Sequence, residues 1–237
     1  MNICNQLRDD GFGAQYQTII FTILFCEMTG NQFVYRPFYK MDHNYTNDID
    51  FLEKKENLIN IRDFFKTISE VESFQNLNIT EIYNKVENEL DKCLNGEAIQ
   101  IIKKLFNKNK KLIYNKDYLN IAIHYRKKLN DDIGDYGFVN EDYYLKVLKF
   151  IQNSFPQNKK IHLYSTGEIK EFDKFIDKDI ILHINEPLEQ TFQGLVQSDV
   201  FFMSKGSFSY SAALISDAEI YYLPFWHKKY SKWKQII

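Results

Sequence analysis

Arginine is scarce in this sequence. Of the 30 basic residues in 237 positions, only Arg8, Arg36, Arg62 and Arg126 are arginines, and the formal net charge is −2. A chain this close to neutral carries no footprint for bulk nucleic-acid binding, and no nucleic-acid partner is expected. Cysteine is scarcer. Cys4, Cys26 and Cys93 lie far apart and form no CxxC pair, which reads as reduced thiols in a cytosol-like compartment, so a cytoplasmic location is expected. Long apolar runs are missing too. The most apolar helix candidate, Ala14 to Thr29, contains Gln15, Gln17, Thr18, Thr22 and Glu27. It is shorter than the ~20 apolar residues that cross a bilayer, so no membrane span is expected and the segment reads as a helix buried in protein. The polar N-terminus gives no sign of a signal peptide. No HExxH, Walker loop or zinc spacing occurs, so no metal site is expected. The acids at Asp48 and Asp50 follow no apolar strand and read as a solvated loop.

What the chain does have is rhythm. From Leu119 onward, apolar runs of about five residues alternate with amphipathic ones. "LNIAIHY", "KIHLYS", "DIILHI", "DVFFMS" and "EIYYLP" read as strands. Between them "NEDYYLKVLKFIQNSF" reads as a helix capped by Asn140, with two acids in its first turn. "EIKEFDKFI", "PLEQTFQGLVQS" and "SFSYSAALIS" read as further helices, the second opened by Pro187. The tail "FWHKKYSKWKQI" reads as helical. Continuous apolar strands separated by helices predict a parallel sheet covered on both faces.

In such a sheet, ligands bind outside the carboxyl ends of the strands. Those ends carry His124 and Arg126, then Ser165 and Thr166, then Asn185 and Glu186, then Ser204, Lys205, Gly206 and Ser207, and finally Pro224. Two of them are chemically pointed. His124 and Arg126 are two apart and leave one side of a strand together. Arginine is a planar fork suited to phosphate, a role lysine does not replace. In "SKGSFSYS", Gly206 allows an unusual turn, and Ser207 or Ser209 sits at a helix start, where N–H groups and hydroxyls bind phosphate. Together they suggest a diphosphate held between an arginine and a helix start.

The N-terminal half is less regular. "LRDDGFGAQYQTIIFTILF" reads as a glycine turn entering the buried helix, and "QFVYRPFY" as a strand ended by Pro37. Residues 40 to 60 read as loop. From Ile61 to Asn109 the pattern is mostly helical, clearest in "ITEIYNKVENELDKCL", with Thr80 as the cap. The lysine run "KKLFNKNKKLIYNKD" reads as a link, dividing the chain into a lobe at 1–115 and one at 116–237. No internal repeat is visible.

With these motifs in place, the chain resembles GDP-fucose-dependent fucosyltransferases of the GT-B fold, the group spanning α-1,2, α-1,6 and protein O-fucosyltransferases. Their N-terminal glycine loop corresponds to "DGFGAQ", with Gly11, Gly13 and Gln15 kept and Ala14 in place of asparagine. Their H-x-R motif corresponds to His124-Tyr125-Arg126. It continues here as Lys127-Lys128-Leu129, where α-1,2 members have R-G-D. A serine ends the second strand at "YST", without the acidic pair that follows it in the family. The final serine-rich segment appears as "SKGSFSYSAALIS".

The resemblance implies a fold and a chemistry. The fold would be α/β and GT-B-like, with two Rossmann-like lobes built on parallel sheets. The N-terminal lobe at 1–115 would be minimal and on the acceptor side, and the lobe at 116–237 would bind the nucleotide sugar. The reaction would be inverting transfer of fucose from GDP-fucose to a hydroxyl of a glycan or glycoconjugate, with no metal and no cofactor beyond the donor substrate. Arg126 would hold the diphosphate. Ser207 and Ser209 would bind phosphate, ribose or base with Phe208 packed beneath, and Gly11, Gly13, His124 and Ser165 would complete the donor site. Asp132, slightly ahead of Asp131, would take the acceptor's proton, with Asp135 and Asp10 as spares. Two other readings stand. A Rossmann-type methyltransferase would need a strand before "GFG" and an acid at the next strand end. A noncatalytic nucleotide- or glycan-binding module would keep Arg126 and tolerate loss of every nearby acid.

Overall fold

The structure, a computed structural model, describes residues 1–44, 48–128, 138–155 and 158–235. The chain divides into two compact units, Met1–Lys111 and Leu112–Ile237, a boundary four residues earlier than the sequence suggests. Tyr114 explains the offset. Its hydroxyl lies 2.6 Å from that of Tyr164 and donates to Gly194 O at 2.9 Å, which ties this stretch to the second unit.

The first unit opens with β1 (Asn2–Cys4), then α1 (Phe12–Thr29) and β2 (Gln32–Val34). α1 is buried nearly all round from Phe12 to Cys26. Its polar residues spend themselves locally: Thr22 Oγ1 donates to Thr18 O at 2.7 Å, and Thr18 Oγ1 to Ala14 O at 2.9 Å. Gly30 stops it in the left-handed region, φ 67°, the usual glycine terminator. Then come α2 (Phe51–Ile59), two 3-10 turns, β3 (Gln75–Asn76), α3 (Ile79–Asn88), α4 (Leu90–Cys93) and α5 (Glu97–Asn107). The three strands form an all-parallel sheet in the order β2-β1-β3.

Three local expectations change here. The stretch read as loop contains α2, whose apolar signal is thin because Lys55, lying over the Phe51 ring, takes an inward position. Glu56 on that helix accepts from the Tyr35 hydroxyl and from Phe38 N–H. α3 starts before Thr80, because Asn78 Oδ1 accepts Thr80 N–H at 2.8 Å and is the cap. A strand, β1, does precede the glycine turn; three residues are too few to show periodicity.

The second unit contains β4 (Leu119–His124), α6 (Glu141–Ser154), β5 (Lys159–Ser165), a 3-10 helix over Ile169–Phe175, β6 (Ile180–Ile184), α7 (Leu188–Gln197), β7 (Val200–Phe202), α8 (Ser207–Ile215), β8 (Glu219–Tyr222) and β9 (Lys234–Gln235). Asn140 caps α6 through its side chain, as its sequence position indicates. All six strands are parallel, in the order β6-β5-β4-β7-β8-β9. One face is apolar: Ile121, Ile123, Leu163 and Phe202 pack on Val147 and Ile151 of α6 and on Phe172. The other face carries a polar string. Asn120 Oδ1 lies 3.4 Å from His162 Nε2, His162 Nδ1 lies 2.9 Å from His183 Nε2, and His183 Nδ1 lies 2.7 Å from Glu186 Oε1. Burial, then the neighbouring His183, push the His162 imidazole down to about 4.

The tail is not helical. Tyr222 and Tyr210 donate their hydroxyls to the carbonyls of His227 and Lys228. Trp233 packs on both tyrosine rings. Lys234 and Gln235 pair alongside β8.

The polar face gives a stability prediction. A Cβ at Gly194 would stand 2.5 Å from Tyr164 Cζ and 3.0 Å from the Tyr114 hydroxyl oxygen. Gly→Ala in a helix ordinarily gains about 0.5–1 kcal/mol. Here overpacking costs about 1–3 kcal/mol, so Gly194→Ala is expected to lower the urea midpoint. A raised midpoint would mean that the tyrosine pair yields freely.

Candidate functional site

The strand order places a topological switch point between β4 and β7. From β4 the chain winds outward through β5 and β6, then returns to β7 on the other side and winds away through β8 and β9. Crossovers leave in opposite directions at that point, and in open parallel sheets ligands bind in the crevice outside the carboxyl ends of two such strands. The two pointed motifs sit there. His124 ends β4 and Arg126 follows it, and the segment Met203–Gly206 leads from β7 into α8.

The alternation of β4 separates the motif's side chains. Tyr125 turns to the apolar face and stacks on Tyr144, ring centroids 4.0 Å apart. His124 and Arg126 turn to the α8 side. The Arg126 guanidinium lies over the Phe138 ring, its Cζ 4.7 Å from the centroid, and Nη1 donates to Lys205 O at 3.4 Å. Stacking on an aromatic face suits arginine's flat group.

Gly206 shapes the other side. Its φ of 139° is open only to glycine, and a Cβ there would meet Arg126 Nη1 at 2.7 Å. It is the N-cap of α8, with no side-chain cap. The helix ladder starts with Tyr210 N–H donating to Gly206 O at 3.0 Å, so the N–H groups of Ser207, Phe208 and Ser209 lie ahead of it. A helix N-terminus and a permanent cation thus approach one point, the arrangement that favours a phosphate or diphosphate.

His124 is held from within. Its Nδ1 lies 2.6 Å from Ser209 Oγ and 2.8 Å from Ser204 Oγ. Burial, and then the charge of Arg126, push its imidazole down to about 3. Ser209 is fully buried and serves His124 and Ser204 N–H rather than an open surface. Ser207 and Phe208 are half-buried, and the Phe208 ring packs against His124 and Phe192.

Ser165 donates its hydroxyl to Tyr125 O at 2.8 Å, so it braces the H-x-R backbone. The ends of β5 and β6 are also spent locally. Asn185 exchanges two hydrogen bonds with the Gly167 backbone, and Glu186 holds His183. Among the polar strand ends, those of β4 and β7 share the crevice.

In the first unit, Gly11 is the N-cap of α1 and Gly13 lies buried in its first turn. The room left by Gly11's missing side chain is taken by the His43 ring, 2.9 Å from where a Cβ would stand. Gln15 ties the turn down by donating to Asp10 O and Lys40 O. The Asp10 carboxylate is paired with Arg8. Asp131, Asp132 and Asp135 lie outside the described residues. No spacing signal in the sequence marks Phe138. Among the described residues, no three His, Cys, Asp or Glu side chains are placed to hold a metal ion, and no helix is long and apolar enough to cross a membrane.

A six-stranded parallel sheet with a switch point, covered by helices, defines a Rossmann-like unit. No family model matches the sequence, and no curated protein matches it. Among solved structures the chain is similar to the fucosyltransferase NodZ from Bradyrhizobium, at 12% identity and TM-score 0.47, over 91% of this chain and 93% of that one. It is also similar to NodZ α-1,6-fucosyltransferase soaked with GDP-fucose, at 11% identity and TM-score 0.42, over 91% and 92%. A universal stress protein from Archaeoglobus fulgidus matches at 13% identity and TM-score 0.27, over 92% and 93%. At these scores the functional reading rests on the site's own residues.

Proposed function

We propose that the chain is a GT-B glycosyltransferase of the inverting, metal-independent kind, moving fucose from GDP-fucose to a glycan hydroxyl. The observation that carries the reading is the meeting of Arg126 with the N-terminus of α8 at the switch point. The H-x-R and serine-rich motifs supply the choice of donor. In this reading the acceptor oxygen forms a bond to the anomeric carbon as the bond from that carbon to the diphosphate breaks. GDP leaves with the electron pair. Arg126 and the α8 N–H groups stabilise the charge that grows on it. The acceptor's proton passes to Asp132, or to Asp131.

The methyltransferase reading gains the strand it needed, β1, but not the acid. β2 runs into Tyr35 and Arg36, and an arginine does not accept hydrogen bonds from ribose hydroxyls. A binding module without catalysis would use the same Arg126 crevice.

Thermal shift with GDP, GDP-fucose, UDP, CMP and S-adenosylmethionine tests the reading. At a hundredfold excess over Kd, a ligand of the native state adds about 2.7 kcal/mol. GDP and GDP-fucose are expected to stabilise the protein equally with and without chelator. Stabilisation by S-adenosylmethionine alone, or a GDP shift lost on chelation, would overturn it. Transfer to an acceptor separates enzyme from binding module.

A further inference from the structure

We propose that Ser204 and Ser209 act as positioning residues that fix His124 as its neutral Nε2–H tautomer, so that the end of β4 offers an anionic ligand an uncharged N–H donor beside the permanent cation of Arg126. The choice of ligand rests on the diphosphate reading above; the tautomer does not.

The argument is an accounting of protons. Ser204 and Ser209 are both fully buried. Their hydroxyl oxygens lie 3.1 Å apart, and both face His124 Nδ1, at 2.8 Å and 2.6 Å. Ser209 Oγ also accepts Ser204 N–H at 3.1 Å. Among the described residues these hydroxyls have no other hydrogen-bond partners. Each hydroxyl proton needs an acceptor, because buried donors left unpaired are costly.

Suppose Nδ1 accepts. Ser209 O–H then points to Nδ1, Ser204 O–H points to Ser209 Oγ, and every proton is placed. Suppose instead that Nδ1 carries a proton. It must donate to one of the two oxygens, and the two hydroxyl protons are left with only each other's oxygens. Both cannot lie along one O···O line, so one is stranded. The same holds for the imidazolium. The serine pair therefore selects the form in which Nδ1 is bare and Nε2 is protonated.

The exposed edge follows from this. His124 is half-buried, and the serines occupy its Nδ1 side. The remaining edge carries the Nε2–H, on a strand end shared with Arg126. Such a donor can bind an oxyanion without the cost of a second charge against the guanidinium. It also stays the same across the pH range in which an ordinary histidine switches.

Long-range proton–nitrogen NMR on imidazole-labelled protein reads the tautomer directly, with His124 assigned by the signal lost in His124→Gln. At pH 7 we expect an unprotonated Nδ1 and a protonated Nε2 in the free protein. Each single variant, Ser204→Ala or Ser209→Ala, leaves one hydroxyl proton with Nδ1 as its only acceptor and is expected to keep the pure tautomer, whereas the double variant Ser204→Ala/Ser209→Ala is expected to show a mixture. A protonated Nδ1 in the parent protein or in a folded single variant, or an unchanged pure tautomer in the folded double variant, overturns the proposal. Calorimetry then tests the donor. His124→Gln, whose amide can place an N–H near Nε2, should keep GDP affinity within a few-fold, while His124→Asn should lose about tenfold or more, the weight of one hydrogen bond to a charged group. If neither the parent nor any variant binds GDP while the NMR pattern is as expected, the nucleotide reading fails and the tautomer assignment stands.

Discussion

Arg126→Lys is expected to cut turnover of the nucleotide sugar by about 30- to 150-fold while leaving the protein folded. Lysine keeps the charge at the end of β4 but loses the fork. One charge-assisted contact to the leaving diphosphate is worth about 2–3 kcal/mol, and each 1.36 kcal/mol is tenfold in rate. Lysine's compact ammonium also lacks the planar group that lies over the Phe138 ring. Stability should change little, because lysine keeps the charge and the hydrogen bond it forfeits to the Lys205 carbonyl is long, at 3.4 Å. The paired measurement is transfer rate and melting curve. Full activity with an unchanged melt would remove Arg126 from the reaction, and a collapsed melt would make it a structural residue.

Gly206→Ala is expected to be nearly as damaging, by a different route. Its φ of 139° is strained for any residue with a side chain, at about 1–3 kcal/mol. The added methyl would also stand 2.7 Å from Arg126 Nη1. The guanidinium is the mobile end of a flexible side chain, so it would swing away and leave the crevice. GDP binding should therefore weaken beyond what lost stability explains. A double-mutant cycle isolates this: in an Arg126→Ala background, the binding penalty of Gly206→Ala should largely vanish. Fully additive penalties would show that Gly206 serves the site by its backbone alone.

Both residues could be picked out in the sequence, for different reasons. Arg126 stood out because arginine is rare here and follows an apolar run. Gly206 stood out because it breaks a serine-rich helix start. Five strands of the second sheet are readable because each is a largely apolar run, and parallel strands buried on both faces leave such a trace; the sixth, β9, is a lysine and a glutamine and leaves none. The strand order was not readable, since nothing in β4 or β7 records that they are neighbours; that adjacency is what makes the two motifs one site.

Elsewhere the signal was weak or misleading. β1 and β3 have three and two residues, too short for a period. α2 hides a lysine on its inner side. The tail carries aromatics at helical spacing, yet two tyrosine hydroxyls from other elements claim its carbonyls. Ser209 looked like a ligand group from its place at a helix start. Its hydroxyl turns inward to His124, eighty-five positions away, a partnership that only the folded chain reveals.

The central claim is that the crevice between β4 and β7 holds a diphosphate. A crystal structure with GDP tests it most directly. The account predicts phosphate oxygens within hydrogen-bonding distance of the Arg126 guanidinium and of the backbone N–H groups of Ser207 and Phe208. GDP bound with its diphosphate away from Arg126 and from the start of α8 would contradict it.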